Sequence, residues 1–273
     1  MTRLYVFSSL LLLLTACAHT RPATAHFQGD TTIAFHGDTA YDANGQLMLL
    51  GEHPRTDLEQ KPFARWFDSG YAAYTVDTAT TALISPLLKD RTFEIFMGTW
   101  CGDSRREVPR MFKILDACGV PRDHIRLITL DYRGRMYKQS PQHEEAGLDI
   151  VHVPDLLVKN GTEEQARIVE SPVVSLEKDL LSIARGEPYQ PQYRAAWWLS
   201  HQLRQAGPVD EPALADSIKE KTKDAFELCT LSYVLYLHGD TTNAFLTKRL
   251  NAAVFPGNKA AQKWLDTHVI KKG

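Results

Sequence analysis

The run Phe93-Glu94-Ile95-Phe96-Met97-Gly98-Thr99-Trp100-Cys101-Gly102-Asp103-Ser104 reads as a strand that turns into a helix. Phe93 to Met97 is a short apolar run broken by Gly98, the pattern of a buried strand. Beyond Trp100-Cys101-Gly102, the apolar residues Val108, Met111, Phe112 and Leu115 recur at helical spacing. Cys101 therefore stands at a helix N-terminus. Unpaired backbone N–H groups and the positive end of the helix dipole favour negative charge there. A thiolate is the form of sulfur that attacks disulfides.

Working outward, Pro109 stands eight residues after Cys101, and Ser104 occupies the place where a dithiol motif holds its second cysteine. Further on, Val151-His152-Val153-Pro154-Asp155-Leu156-Leu157-Val158-Lys159-Asn160-Gly161 reads as a loop, a strand and a turn. Gln165 to Val169 is the next strand and Leu176 to Ala184 a closing helix. The two motifs, in this order, resemble the thioredoxin superfamily over about Thr92 to Arg185. The resemblance implies an α/β fold with a thioredoxin-like central sheet flanked by helices. It also implies that Pro154 is a cis-proline facing Cys101.

Ile125 to Leu130 is a second near-continuous apolar run. With Phe93 to Met97 it suggests parallel central strands covered on both faces. Tyr132 to Gly147 is polar and irregular, either a plain surface loop or a border of the site.

The N-terminus reads as a targeting segment. Arg3 supplies the positive charge and Val6 to Leu14 an apolar core too short to span a bilayer. Leu14-Thr15-Ala16-Cys17 looks like a bacterial lipobox, which implies lipidation at Cys17 and a membrane partner through that lipid. An ordinary signal peptide with a chance cysteine is the plainer alternative. Ala18 follows Cys17. By analogy, the absence of Asp there favours an envelope lipoprotein of the outer membrane, facing the periplasm.

Five stretches follow: a signal peptide over 1–17, a tether over 18–30, an N-terminal extension packing on the core over 31–90, a thioredoxin-like domain over 91–187 and an all-α C-terminal region over 188–273. In the extension, Thr31 to Phe35 and Gln46 to Leu50 pair as a hairpin across Asp42 to Gly45. Thr56 and Glu59 form a capping box before a helix carrying Leu58, Phe63, Trp66 and Phe67. A short helix over Ala79 to Leu88 is interrupted by Pro86. In the C-terminal region, helices are expected over Tyr193–Gln205, Asp210–Glu220, Ala225–His238, Thr242–Val254 and Asn258–His268. Leu231 to Asp240, with Ala244, Phe255-Pro256 and Asn258, resembles a degenerate tetratricopeptide repeat. That region is either a helical cap or a surface for a protein partner.

Formal net charge is −2 and no basic cluster with interleaved aromatics occurs, so nucleic-acid binding is not suggested. No Gly-rich phosphate loop follows a strand, and His36, His53, His124, His143 and His152 lack ligand spacing with cysteines. Neither a cofactor nor a metal is expected. Of the four cysteines, Cys118 lies about 25 Å from Cys101 along the same helix, beyond disulfide reach. Cys118 and Cys229 read as small buried core residues.

The resemblance implies a catalytic set of Cys101, Trp100, Ser104 and Pro154. Gly102, Asp103, His152 and Val153 would contact substrate, with the Val153 backbone pairing an extended strand. Ser104 can donate a hydrogen bond to the sulfur but cannot attack a mixed disulfide. Three departures count against a typical thioredoxin. They are Ser104 itself, Ile95 where a buried Asp usually stands, and Asp155 where Thr usually follows the cis-proline. Asp103 adds negative charge that opposes the helix effect. His152 either partners Asp103 or Cys101 or is an ordinary polar residue.

The functional expectation is monothiol thiol–disulfide exchange, reduction or isomerisation, on protein substrates with disulfides or thiols. The alternatives are a non-redox interaction module with a vestigial cysteine, and a thiol sensor that ends as sulfenic acid.

Overall fold

The computed structural model describes residues 24–25, 33–205, 207–222, 224–257, 259 and 263. The expected signal segment with Cys17, most of the tether and most of the helix expected over Asn258–His268 lie outside the described residues. Two short strands, β1 (Thr24–Ala25) and β2 (Ile33–Ala34), pair with each other. The main sheet has six strands: β3 (Asp38–Tyr41), β4 (Leu47–His53), β5 (Arg91–Met97), β6 (Ile125–Thr129), β7 (Asp155–Asn160) and β8 (Glu163–Val169). Their spatial order is β3-β4-β6-β5-β7-β8, with β5 and β6 parallel and every other neighbour antiparallel. The fold class is thus mixed α/β.

Side-chain alternation explains why this sheet is covered on both faces. Phe93, Ile95 and Met97 of β5 enter one core with Leu127, Leu156 and Val158. Phe96 points the other way, into a smaller core with Ile128, Leu130, Ile150, Val153 and Leu157. The larger core is closed by α2 (Ala64–Ala73), α3 (Thr78–Ile84), α4 (Gly102–Ala117) and α5 (Leu176–Ala184). The periodic face of α4, Val108, Met111, Phe112 and Leu115, lies in that core. Pro109 packs against α2 at Gly70, where a Cβ would stand 3.1 Å from the proline ring.

The stretch 31–90 differs from its sequence reading in three ways. First, the hairpin partner of β4 is Asp38–Tyr41, not Thr31–Phe35. The turn is closed by Asp42, whose carboxylate accepts from Asn44 N and Gln46 N. Second, Thr56 does not cap a helix. The short α1 (Arg55–Leu58) starts after Pro54 without a side-chain cap, and Arg55 holds Glu59. Third, this stretch does not merely pack on the core, because β3 and β4 extend the sheet itself. At α3 the cap is Asp77, and helical geometry gives way to a 3-10 turn at Ser85-Pro86-Leu87, where proline has no N–H to donate.

Four more helices follow: α6 (Arg194–Leu203), α7 (Glu211–Lys221), α8 (Ala225–Leu237) and α9 (Thr241–Val254). Asp210, Asp224 and Asp240 cap the last three. These helices share a core of Leu199, Ile218, Leu228, Leu231, Leu246 and Leu250 that also takes in Val151. They therefore pack onto the loop that leads into β7.

Candidate functional site

Cys101 is the residue before α4, in extended conformation, and it is half-buried. Its Sγ–H donates to the Val153 carbonyl at 3.3 Å. The Val153–Pro154 bond is cis. The parallel β5–β6 pair and the antiparallel β5–β7 pair bring these loops together at one end of the sheet.

Trp100 folds back over Gly98. A Cβ on residue 98 would stand 2.4 Å from the indole, so only glycine leaves room. The indole N–H donates to Leu130 O at 2.8 Å, and the ring packs on Tyr132 with centroids 5.1 Å apart. Gly102 is exposed. Asp103 is neutralised by Arg106 at 2.7 Å, so its charge is not left facing the sulfur alone.

Two site expectations need correction, and His152 takes the plainer of its two readings. Ser104 does not bond the sulfur: it is fully buried and its Oγ accepts from Gly98 N at 3.2 Å. The rotation of α4 that buries Val108 and Met111 also turns Ser104 inward. Val153 is 1% exposed and Pro154 is buried, so no free backbone edge is left there for an extended strand. Its side chain fills the smaller core, and its carbonyl is taken by Cys101. His152 meets neither Asp103 nor Cys101. It stacks on Tyr193 with centroids 3.6 Å apart and lies 3.6 Å from Glu170. Tyr193, left-handed at φ 57, also donates its hydroxyl proton to Glu170.

The segment 132–147 is not a plain surface loop. Lys138, Gln139, Ser140 and Glu145 are all 5% exposed or less. Its first half is closed on Asp131 by Lys138 N to Asp131 O at 2.8 Å and Asp131 N to Gln139 O at 2.9 Å. Burial would raise the Asp131 carboxyl, but the Arg133 guanidinium and two backbone N–H groups hold it below its ordinary value. The loop is clamped by the helices: Tyr233 of α8 packs on Tyr137 at 5.4 Å, and Arg204, after α6, holds Asp149 at 2.8 Å.

Lys138 is the residue that sequence reasoning missed. Its ammonium lies 5.1 Å from the Trp100 ring and 5.4 Å from Tyr137. Burial pushes it down to about 8, and the fields of Cys101, Glu170 and Asp155 oppose that shift. Nothing local marks this lysine, since it sits in a polar, aperiodic run.

A second buried cluster lies beneath the cis-proline. Arg167 makes two bonds to Glu164 and one, at 2.9 Å, to Asp155. One cation is thus shared by two carboxylates. Glu164 takes the larger share and is held below its ordinary value despite burial. Asp155, with Oδ1 left without a partner, is pushed by burial up to about 7.

Elsewhere, Cys118 is buried and its thiol is raised by burial to about 11. Cys229 is half-buried, not a core residue, and its sulfur accepts from Asn251 at 3.1 Å. A cavity of about 510 Å³ opens at the far end of α4 from Cys101, lined by His53, Arg55, Asp116 and Arg126 among others. Two of its cations are internally paired, Arg55 with Asp116 and Arg126 with Glu52. Among the described residues, no group of three or more His, Cys, Asp and Glu is arranged to hold a metal, and no helix is long and apolar enough to cross a membrane. Comparison with protein families, curated proteins and solved structures returns no match.

Proposed function

We propose that this chain has a thioredoxin-like fold and performs monothiol thiol–disulfide exchange through Cys101, as a reductase or isomerase of disulfides. In the same reading, a lipid on Cys17 anchors it in the cell envelope, at the outer membrane facing the periplasm. One observation carries the proposal: a half-buried cysteine at a helix N-terminus, its sulfur 3.3 Å from the carbonyl before Pro154. In the forward step the Cys101 thiolate attacks one sulfur of a substrate disulfide. The new bond joins Cys101 to that sulfur, and the other sulfur leaves as a thiolate. A thiolate from the substrate or from a small thiol then attacks the mixed disulfide and regenerates Cys101. Ser104 has no part in that second step, and Cys118 is at the other end of α4.

A second reading, a non-redox interaction module, is favoured by the burial of Val153 and Pro154, which removes the backbone edge that an extended substrate would use. One experiment separates the two. Wild-type protein should accumulate mixed disulfides with envelope proteins on non-reducing gels, and Cys101→Ala should abolish them without unfolding the chain. Absence of any Cys101 adduct in the wild type refutes exchange and leaves the module. The anchor is tested separately. Wild-type protein should incorporate labelled fatty acid and sediment with membranes, and Cys17→Ser should do neither; unlabelled, soluble wild-type protein refutes it.

A further inference from the structure

Lys138 is 5% exposed, and its ammonium makes neither a hydrogen bond nor an ion pair among the described residues. Its position is not accidental slack in a loop. The backbone is pinned on both sides of Asp131, and the residue is held left-handed at φ 59. A lysine side chain ordinarily carries its charge to water. Here the charge lies instead against the faces of Trp100 and Tyr137. Burying an unpaired cation is unfavourable, so the arrangement implies an anion that is present in one state of the protein.

The fields of three groups that can carry negative charge reach Lys138. Cys101 comes from the start of α4, Asp155 from the start of β7 and Glu170 from the end of β8. Asp155 is held by Arg167 at 2.9 Å. Glu170 is bonded by Tyr193 and lies beside His152. Of the three, Cys101 alone has no cation or hydrogen-bond donor of its own, since its sulfur is itself the donor to Val153 O. Tyr137, which lies next to Lys138, is kept in its neutral phenol form first by burial and then by Tyr233 and Cys101.

We propose that the Lys138 ammonium is the counter-cation of the Cys101 thiolate. The proposal rests on the exchange reading above. Written out, the Cys101 thiol gives its proton to water, and the thiolate is held in the field of the Lys138 ammonium. The thiolate attacks the substrate disulfide, one S–S bond forms and one breaks, and the departing sulfur leaves as a thiolate that takes a proton from water. The Cys101 sulfur is oxidised and the departing sulfur reduced by the same electron pair, and no further co-reactant enters. The ammonium gives up its proton only at about 8, so the cation is in place at neutral pH. Lys138 acts through the sulfur and is a positioning residue in this scheme.

The test measures the rate of Cys101 with two aromatic disulfides, an uncharged dipyridyl disulfide and one bearing two carboxylates, over roughly pH 6 to 10. Cys101→Ser gives the background from the other cysteines. Lys138→Met should slow both probes about tenfold near neutral pH and move the midpoint of the rate profile upward, as expected when one nearby opposite charge is lost. Lys138→Arg keeps the charge and should retain most of the rate, with a flatter profile at high pH because guanidinium does not titrate there. A Lys138→Met profile that superposes on the wild type, with Cys101 still reactive, overturns this proposal and leaves the exchange reading intact. Slowing with the carboxylated probe alone also overturns it, because the ammonium would then serve the substrate's charge. Equal loss in Lys138→Met and Lys138→Arg overturns it as well, since packing alone would explain the loss. A wild-type Cys101 that reacts with neither probe overturns both readings.

Discussion

Asp155→Asn tests the electrostatics beneath the cis-proline. In the folded protein the Asp155 carboxyl takes its proton at about 7, against an ordinary 3.8, first because of burial and despite Arg167. That difference corresponds to about 4 kcal/mol. The sign follows from linkage. A carboxyl with a raised folded value contributes stability that is fully present below its unfolded value and is lost as pH rises through the folded one. From this group alone the wild type should therefore lose roughly 3 kcal/mol between pH 5 and pH 8. Asn does not titrate, and its side-chain oxygen can still accept from Arg167. The stability of Asp155→Asn relative to wild type should thus improve by about 3 kcal/mol over that interval. The assay is urea unfolding at several pH values, followed by tryptophan fluorescence and circular dichroism. Coincidence of the two probes licenses the free energies. If Arg167 instead keeps Asp155 ionised, the gap will not change between pH 5 and pH 8. The variant would then be less stable throughout, by about 3–5 kcal/mol, the cost of breaking a buried pair. That result would refute the shared-cation account of Glu164, Arg167 and Asp155.

Two further outcomes follow from the geometry around Cys101. Ser104→Cys places a thiol one helical turn from Cys101, so mixed disulfides should break down about tenfold faster or more, read as loss of adduct bands; unchanged lifetimes would show that the buried orientation of residue 104 prevents resolution. Gly98→Ala forces the Trp100 indole out of its place, so stability should fall by about 1–3 kcal/mol and Cys101 rates should change with it; a neutral outcome in unfolding and in rate would show that the indole position is dispensable.

What the sequence determined by itself is local. The apolar run of β5, the helical period of α4 and the bounds of α5 repeat within a few residues, so spacing alone places them. Cys101 at the head of α4 belongs to this class, because strand, turn and helix are contiguous.

The tertiary structure decided whatever depends on rotation or on contacts between distant residues. Ser104 is on the correct helix, but only the packing of α4 on the sheet turns it inward to Gly98 N. Val153 lies in the correct loop, but only the smaller core buries it. Ile33–Ala34 pairs with β1 and not with β4, because the Asp42 turn fixes the register of β4 against Asp38–Tyr41. Lys138 and Arg167 carry no local pattern at all. Their meaning comes from Trp100, Cys101 and Asp155, which the parallel β5–β6 pairing and the packed helices bring to one end of the sheet. A one-dimensional period cannot encode a charge placed between elements, because burial and partner are set only when those elements meet.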